Sequence, residues 1–211
     1  RNTNSYNCPI VAAYSDVIRS AMTLKKRVDS PVINFSDLRL LHRQVSRYLK
    51  GLGVDKDTIR RAFYKAVAAQ ERHATALRQR AHDILEDSRR QGRLTILLVG
   101  RPYHADPLIQ HKLSEMIASL GVNVISDDIV RGDTTTGTGE TYLVRQWAYM
   151  NRIIKAAQWC AEQPGDVQLV QMTSFGCGPD AFIQDELRAI LQNHGKPFTL
   201  LKIDDVSNIG S

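Results

Sequence analysis

Four strand-like apolar segments alternate with helix-like segments in the second half of the chain, and this alternation constrains the fold more than any other feature. The strand-like segments are LTILLVG (94–100), VNVIS (122–126), DVQLVQM (166–172) and PFTLLKID (197–204). The first is a continuous apolar run, as expected for a strand that is buried on both faces of a parallel sheet. The pattern predicts an α/β domain over residues 94–211, with a doubly wound, mainly parallel four-stranded sheet of the Rossmann or flavodoxin-like type.

Residues 1–93 predict a mainly helical segment. PIV (9–11) indicates a short strand or extended entry, followed by a helix capped near Ser15 and Asp16, and VINF (32–35) is a candidate short strand. Apolar spacing predicts a helix after the cap Ser36-Asp37 and a long helix over about residues 55–91. The chain starts at Arg1, so we interpret the segment as part of a truncated upstream domain of a longer protein.

Charge and cysteine content exclude several classes of protein. Residues 39–93 hold half of the 28 lysines and arginines, but acidic residues interleave with them, so solvated helix faces are expected and nucleic acid is not an expected partner. No run of about 18 apolar residues predicts a membrane span. Three cysteines without CxxC spacing argue against a disulfide framework and for a reducing, cytoplasmic compartment.

Polar clusters follow each of the four predicted strands. They are residues 101–104 (RPYH), 126–128 (SDD), 174–178 (SFGCG) and the pair Asp204-Asp205. In a parallel sheet these positions meet at the carboxyl edge, where ligands of such folds bind. The sequence therefore predicts a functional site at that edge.

Cys177 lies between Gly176 and Gly178, where a strand is expected to give way to a helix. Flanking glycines permit unusual backbone angles and a close approach, and a helix N-terminus favours a thiolate. Three roles stay open from the pattern alone: a structural thiol, a ligand of a metal or iron–sulfur cluster, or a nucleophile. In the last role His104 would be the base, oriented by Asp204 or Asp205.

Two other cysteines and a loop carry weaker signals. Cys8 precedes Pro9 in a turn-like context, whereas Cys160 lies late in a predicted helix and is expected to be a thiol without chemistry. GDTTTGTGE (132–140) lacks the P-loop lysine, so we interpret it as a mobile polar loop rather than a phosphate site.

Several motifs together resemble one family across nearly the whole chain. They are NCPIVAAYSDVI, LLVGRPYHADP, WAYMNR, LVQMTSFGCGPDAF and TLLKIDDVSNIG. They resemble the dehydratase-component-like region of acyl-CoA dehydratase activase-related proteins, relatives of the 2-hydroxyglutaryl-CoA dehydratase activators. Residues 36–92 carry this resemblance only loosely.

The resemblance implies an iron–sulfur centre, of the 4Fe–4S type, that receives an electron from ATP-hydrolysing activase domains upstream in the same polypeptide. It implies Cys8 and Cys177 as metal ligands and Gly176, Gly178, Arg101 and His104 as further cofactor-binding residues, and it suggests an acyl-CoA substrate. A further family cysteine is expected upstream of Arg1. Two cysteines are too few for a cubane site, so the cluster is expected in the full-length protein and to be absent or incomplete in this fragment.

Three functional hypotheses follow. The first is an iron–sulfur electron-transfer module, in which Cys8 and Cys177 approach one shared cavity. The second is a cysteine hydrolase or acyltransferase, in which His104 hydrogen-bonds to the Cys177 sulfur. The third is a docking domain without chemistry, in which Cys177 is buried and has no partner.

Overall fold

The structure is a computed structural model that describes residues 8–35, 37–131, 147–174 and 176–203. The chain divides into two compact units, residues 1–73 and residues 74–211, and the division falls within a long helix. The domain boundary expected between residues 93 and 94 stays a prediction.

The first unit is helical. Helix α1 spans Pro9–Ala21, α2 spans Leu38–Gly51, and α3 begins at Lys56 and continues to Arg90. Asp37 caps α2 by accepting a hydrogen bond from the Leu40 amide at 2.8 Å, as the sequence predicted. Asp55 caps α3 in the same way, through the Thr58 amide at 2.9 Å.

Two expectations for this unit are wrong. Residues 9–11 do not form an extended entry but the first turn of α1, because proline suits the first helical position, where its missing amide hydrogen has no partner to lose. Residues 32–35 do not form a strand. The Asn34 amide instead donates to the side chain of Gln44 in α2, at 2.8 Å.

The second unit contains a four-stranded parallel sheet. Its strands are β1 (Thr95–Val99), β2 (Asn123–Ser126), β3 (Val167–Thr173) and β4 (Phe198–Lys202), in the order β2-β1-β3-β4. The connecting helices are α4 (Leu113–Ser119), α5 (Ala148–Glu162) and α6 (Gly178–Gln192). Single 3₁₀ turns, Pro102–Ala105 and Asp127–Val130, follow β1 and β2. The predicted doubly wound α/β fold of the Rossmann or flavodoxin-like type is confirmed.

Both faces of the sheet are covered at its two central strands, β1 and β3, whereas three of the five residues of the edge strand β4 are exposed. Leu97 and Val99 of β1 pack into a core with α5 and α6, whereas Ile96 and Leu98 pack toward α4 on the opposite face. All five residues of β1 are buried, which explains the continuous apolar run at this position.

Some helix boundaries differ from those expected. The sequence PLIQHKLSEMIASLG (107–121) predicts a helix from Pro107, but α4 begins only at Leu113, because His111 and Lys112 adopt positive φ angles that interrupt a helix. The sequence ETYLVRQWAYMNRIIKAAQWCAEQ (140–163) predicts that α5 begins at residue 140, but residues 140–146 and the loop 132–140 lie outside the described residues. Among the described helices, none has the length and apolar content to cross a membrane.

Candidate functional site

Strands β1 and β3 are adjacent and parallel, so the segments that follow them meet at the same edge of the sheet. Val99 pairs with Gln171 near the carboxyl ends of the two strands. The structure brings together two of the four predicted clusters here, the turn 101–104 and the segment that leads into α6.

Arg101 connects these two segments. Its Nε donates to Oδ1 of Asp180 at 2.7 Å, and its Nη2 lies 3.0 Å from Sγ of Cys177. Burial alone would lower the pKa of Arg101, but the charges of Asp180 and Cys177 and their hydrogen bonds raise it above its usual value. The guanidinium is therefore a fixed positive charge that donates to the cysteine sulfur.

Cys177 is half-buried and occupies the N-cap position of α6. Its amide donates to the Ser174 carbonyl at 3.2 Å, which closes the turn through Gly176. Gly176 has a φ of 60°, a conformation that favours glycine. Among the described residues, no heavy atom lies within 4 Å of where a Cβ on Gly178 would stand, so the position next to the cysteine in the chain is open.

His104 is almost fully buried, and both of its ring nitrogens are engaged. Nδ1 accepts from the Arg101 amide at 3.1 Å, and Nε2 lies 3.2 Å from Oγ of Ser174. Because Nδ1 is an acceptor, the hydrogen of the neutral ring is on Nε2 and is donated to Ser174. Burial lowers the pKa of His104, and the negative charge of Asp180 opposes this shift only in part. The ring is therefore neutral at pH 7.

These contacts bear on the alternative hypotheses. The hydrolase hypothesis depends on a hydrogen bond between His104 and Cys177, but the described contacts of the His104 ring are to Arg101 and Ser174. The docking hypothesis expects Cys177 to be buried without a partner, whereas Cys177 is half-buried and accepts from Arg101. Both hypotheses stay predictions without a contact that favours them.

Gly100 makes room for the histidine. A Cβ at this position would lie 2.5 Å from Nδ1 of His104 and 3.3 Å from Cβ of Met172. The motif GRPYH therefore needs its glycine for a close approach to the histidine ring, rather than for a special backbone angle.

Asp180 is the site residue that the sequence analysis missed. Its side chain is only 1% exposed, and its Oδ2 also accepts from Oγ1 of Thr173 at 3.4 Å. The available signal was an acidic residue in the first turn of a helix, where the helix dipole favours negative charge. That signal gives no indication of the cation 79 residues earlier.

The cluster after β2 makes its own contacts. Nη2 of Arg152, in α5, lies 2.6 Å from Oδ1 of Asp127 and 3.1 Å from Oδ1 of Asp128. Burial raises the pKa of Asp127, and the Arg152 charge opposes this rise. Arg152 was not identified as a site residue from the sequence. Asp204 and Asp205 lie outside the described residues.

The other two cysteines differ in their surroundings. Cys8 is half-buried at the N-cap of α1, with backbone angles close to those of Cys177. Cys160 is fully buried, and burial raises its pKa to about 11. Cys8 and Cys177 belong to different units, so their predicted meeting at one cavity stays a prediction.

Comparison with known proteins gives one family match. No curated protein and no solved structure matches the chain. Residues 1–130 match the family described as "CoA enzyme activase uncharacterised domain (DUF2229)", which confirms the resemblance drawn from the motifs. Because this match covers more than half of the 211 residues, the chain belongs to that CoA enzyme activase domain family.

Proposed function

We propose that this protein is the part of a CoA enzyme activase that supplies cysteine ligands to an iron–sulfur centre used in electron transfer. Family membership gives the activase-related role. The finer proposal is that Cys177 is a cluster ligand, with Cys8 as a second ligand. ATP-hydrolysing domains of the same polypeptide would supply the electron, and an acyl-CoA would be the eventual substrate.

The observation that carries the proposal is the hydrogen bond of 3.0 Å from the Arg101 guanidinium to the Cys177 sulfur. Hydrogen bonds from outside the ligand set orient ligands and tune the metal centre that they hold. Here the donor is a buried cation, which is itself fixed by Asp180. This arrangement places a fixed positive charge against the sulfur, and at the next residue, Gly178, a Cβ would meet no heavy atom of the described residues within 4 Å.

The residues present fit part of such a site. Cys177 combines a half-buried thiol with a helix N-terminus and a cationic donor, all of which suit a thiolate ligand. Within the described ranges, no three His, Cys, Asp or Glu side chains group closely enough to hold a metal ion. We therefore propose a shared site, to which this chain contributes Cys177 and Cys8 and in which other ligands complete the coordination of the cluster. A bound cluster would supply one-electron transfer.

The test is anaerobic reconstitution with iron and sulfide of the full polypeptide to which this sequence is expected to belong. Bound iron and visible charge-transfer absorbance are measured. Cys177→Ser and Cys8→Ser should each lower both readouts strongly. Cys160→Ala is the matched control, since Cys160 is fully buried and its thiol donates to the Val167 carbonyl at 3.7 Å. A wild-type protein that binds no cluster, or a Cys177→Ser variant that binds as much iron as the control, contradicts the proposal.

A further inference from the structure

A groove in the first unit is lined by basic side chains. It lies between α2 and the first turns of α3 and has a volume of about 460 Å³. Five of the lining residues are positively charged: Arg43, Arg47, Lys50, Lys56 and Arg60. Among the described residues that line the groove, none is acidic.

The cations of this groove have few counter-charges. The pKa of Asp37 is lowered by the hydrogen bond from the Leu40 amide and, more weakly, by the charge of Arg43, so this cation is near one carboxylate. Arg60 lies 3.5 Å from Asp57, in a pair exposed to solvent. Within the described part of the chain, the other four cations make no ion pair. By contrast, Arg89 and Arg90 near the end of α3 pair with Asp166 and Asp87. Several like charges around one concavity repel each other and focus a positive potential, and an anion would relieve this repulsion.

Helical spacing places these side chains together. Arg43, Arg47 and Lys50 follow at intervals of four and three residues along α2, so they share one face of that helix. Lys56 and Arg60 are four residues apart in α3. Both sets line the same groove, which presents positive charge from two helices toward one space.

The groove also offers groups other than charges. Ile59, only 2% exposed, lies among the lining residues, as do His42 and the hydroxyl-bearing Ser46. His42 stacks on Tyr64 with ring centroids 6.0 Å apart, and its Nε2 is buried without a hydrogen-bond partner in the described structure. A buried polar atom without a partner is unfavourable. A ligand in the groove would therefore gain a hydrogen bond if the His42 ring turned its Nε2 toward that ligand.

We propose that this groove binds an organic polyphosphate of the nucleotide type. Five cations exceed what a single phosphate group needs, whereas two or three linked phosphates carry a matching charge. The volume lies in the range of small-molecule sites, which suits a ligand with an attached nucleoside. A nucleoside triphosphate and the phosphoadenosine diphosphate portion of coenzyme A share this chemistry. The site is independent of Cys177 and of the proposed cluster.

The experiment is isothermal titration calorimetry of the 211-residue chain with ATP, AMP, coenzyme A, dephospho-coenzyme A and inorganic phosphate. ATP or coenzyme A should bind at least about tenfold more tightly than inorganic phosphate, and binding should weaken as salt is raised. A higher affinity for ATP than for AMP would identify the triphosphate as the ligand. A higher affinity for coenzyme A than for dephospho-coenzyme A would identify the 3′-phosphate as a group that the groove binds. Either result supports the proposal.

Variants locate the binding site. The double variant Arg43→Ala/Arg47→Ala should weaken binding by about tenfold or more. Arg72→Ala/Arg80→Ala removes the same charge from exposed positions of α3 that do not line the groove, and it should change affinity by less than about threefold. His42→Phe keeps an aromatic ring and removes the nitrogen, and it should weaken binding without unfolding the helices. The proposal is overturned if no polyphosphate binds more tightly than inorganic phosphate, or if the two double variants weaken binding equally.

Discussion

Arg101 and Asp180 form a buried ion pair between the turn that follows β1 and the first turn of α6. Nε lies 2.7 Å from Oδ1, and the side chains are 5% and 1% exposed. The same guanidinium reaches Cys177. The position of the cysteine therefore depends on a contact between residues 79 positions apart.

The first prediction concerns this ion pair. Asp180→Asn leaves the Arg101 charge buried without a carboxylate, and removal of one partner of such a pair costs about 3 kcal/mol or more. We expect the free energy of unfolding, measured in urea, to fall by about that amount.

The matched control is Asp185→Asn, five residues later in the same helix. Asp185 pairs with Arg188 at 2.8 Å, but its side chain is 91% exposed, and exposed pairs contribute at most about 1 kcal/mol. Equal losses of unfolding free energy in the two variants would show that Asp180 does not hold a buried charge.

A second prediction tests the close approach at Gly100. Gly100→Ala places a Cβ 2.5 Å from Nδ1 of His104, so the ring must shift and its bond from the Arg101 amide is lost. Overpacking of this kind costs about 1–3 kcal/mol, which thermal or urea unfolding can resolve. Gly165→Ala is the control, because a Cβ there would meet no heavy atom of the described residues within 4 Å. A Gly100→Ala variant as stable as this control would contradict the packing argument.

The third prediction is a pH dependence that arises from His104. Burial lowers the pKa of this ring in the folded protein, so the unfolded chain takes up the proton first as the pH falls through about 6.5. The neutral ring thus contributes stability above that pH, and this contribution is lost as the pH falls toward the lowered pKa.

The measurement is the free energy of unfolding at pH 7.5 and pH 5.5. The wild-type protein should lose more stability between these values than His104→Asn, in which the amide oxygen can still accept from Arg101. The loss is limited to about 1.4 kcal/mol per pH unit. Identical slopes in the two proteins would mean that His104 titrates alike in the folded and unfolded states.

The fold could be predicted from the sequence because its signals are local and repeated. Buried parallel strands need continuous apolar runs, and each run here is separated from the next by a helix-length segment. The wrong predictions of secondary structure lie where a local sequence pattern is compatible with two different structures. Proline at position 9 suits an extended segment and a first helical turn equally well. Residues 32–35 have strand-like composition but pair with no strand in the part of the chain that the structure describes.

The site was predictable only in its location. Topology alone places the segments after β1 and β3 at one sheet edge, which brings Arg101 near Cys177. The identity of the partner to Arg101 was not predictable, because an aspartate in the first turn of a helix usually serves the helix dipole and is exposed. Only the tertiary contacts of the Asp180 side chain, with Arg101 and Thr173, show that it is turned inward.

The fourth prediction separates the cysteines by reactivity. Burial raises the pKa of Cys160 to about 11, against the opposing charge of Lys196, so this thiol is neutral and inaccessible in the folded protein. After brief iodoacetamide treatment at pH 8, mass spectrometry should find Cys177 modified and Cys160 unmodified. In guanidinium chloride both should react. Labelling of Cys160 in the folded protein as fast as Cys177 would contradict its burial.

The last prediction concerns the carboxylates that follow β2. Asp127 is nearly buried, and Arg152 supplies the charge that opposes the upward shift of its pKa. In Arg152→Gln that charge is missing, so the pKa of Asp127 should rise further. An acid whose folded pKa lies above its unfolded value contributes stability at low pH and loses it as the pH rises through the folded pKa.

The destabilisation caused by Arg152→Gln should therefore grow between pH 4 and pH 7, as measured by urea unfolding of the variant and the wild-type protein at each pH. At pH 7 it should reach about 2–3 kcal/mol, since a largely buried carboxylate is then ionised without its cation. Arg90→Gln removes a solvent-exposed pair with Asp87 from α3 and should cost less than about 1 kcal/mol. If the cost of Arg152→Gln were the same at both pH values, the ionisation of Asp127 would not depend on Arg152, and the cation would serve only to pack α5 against the turn after β2.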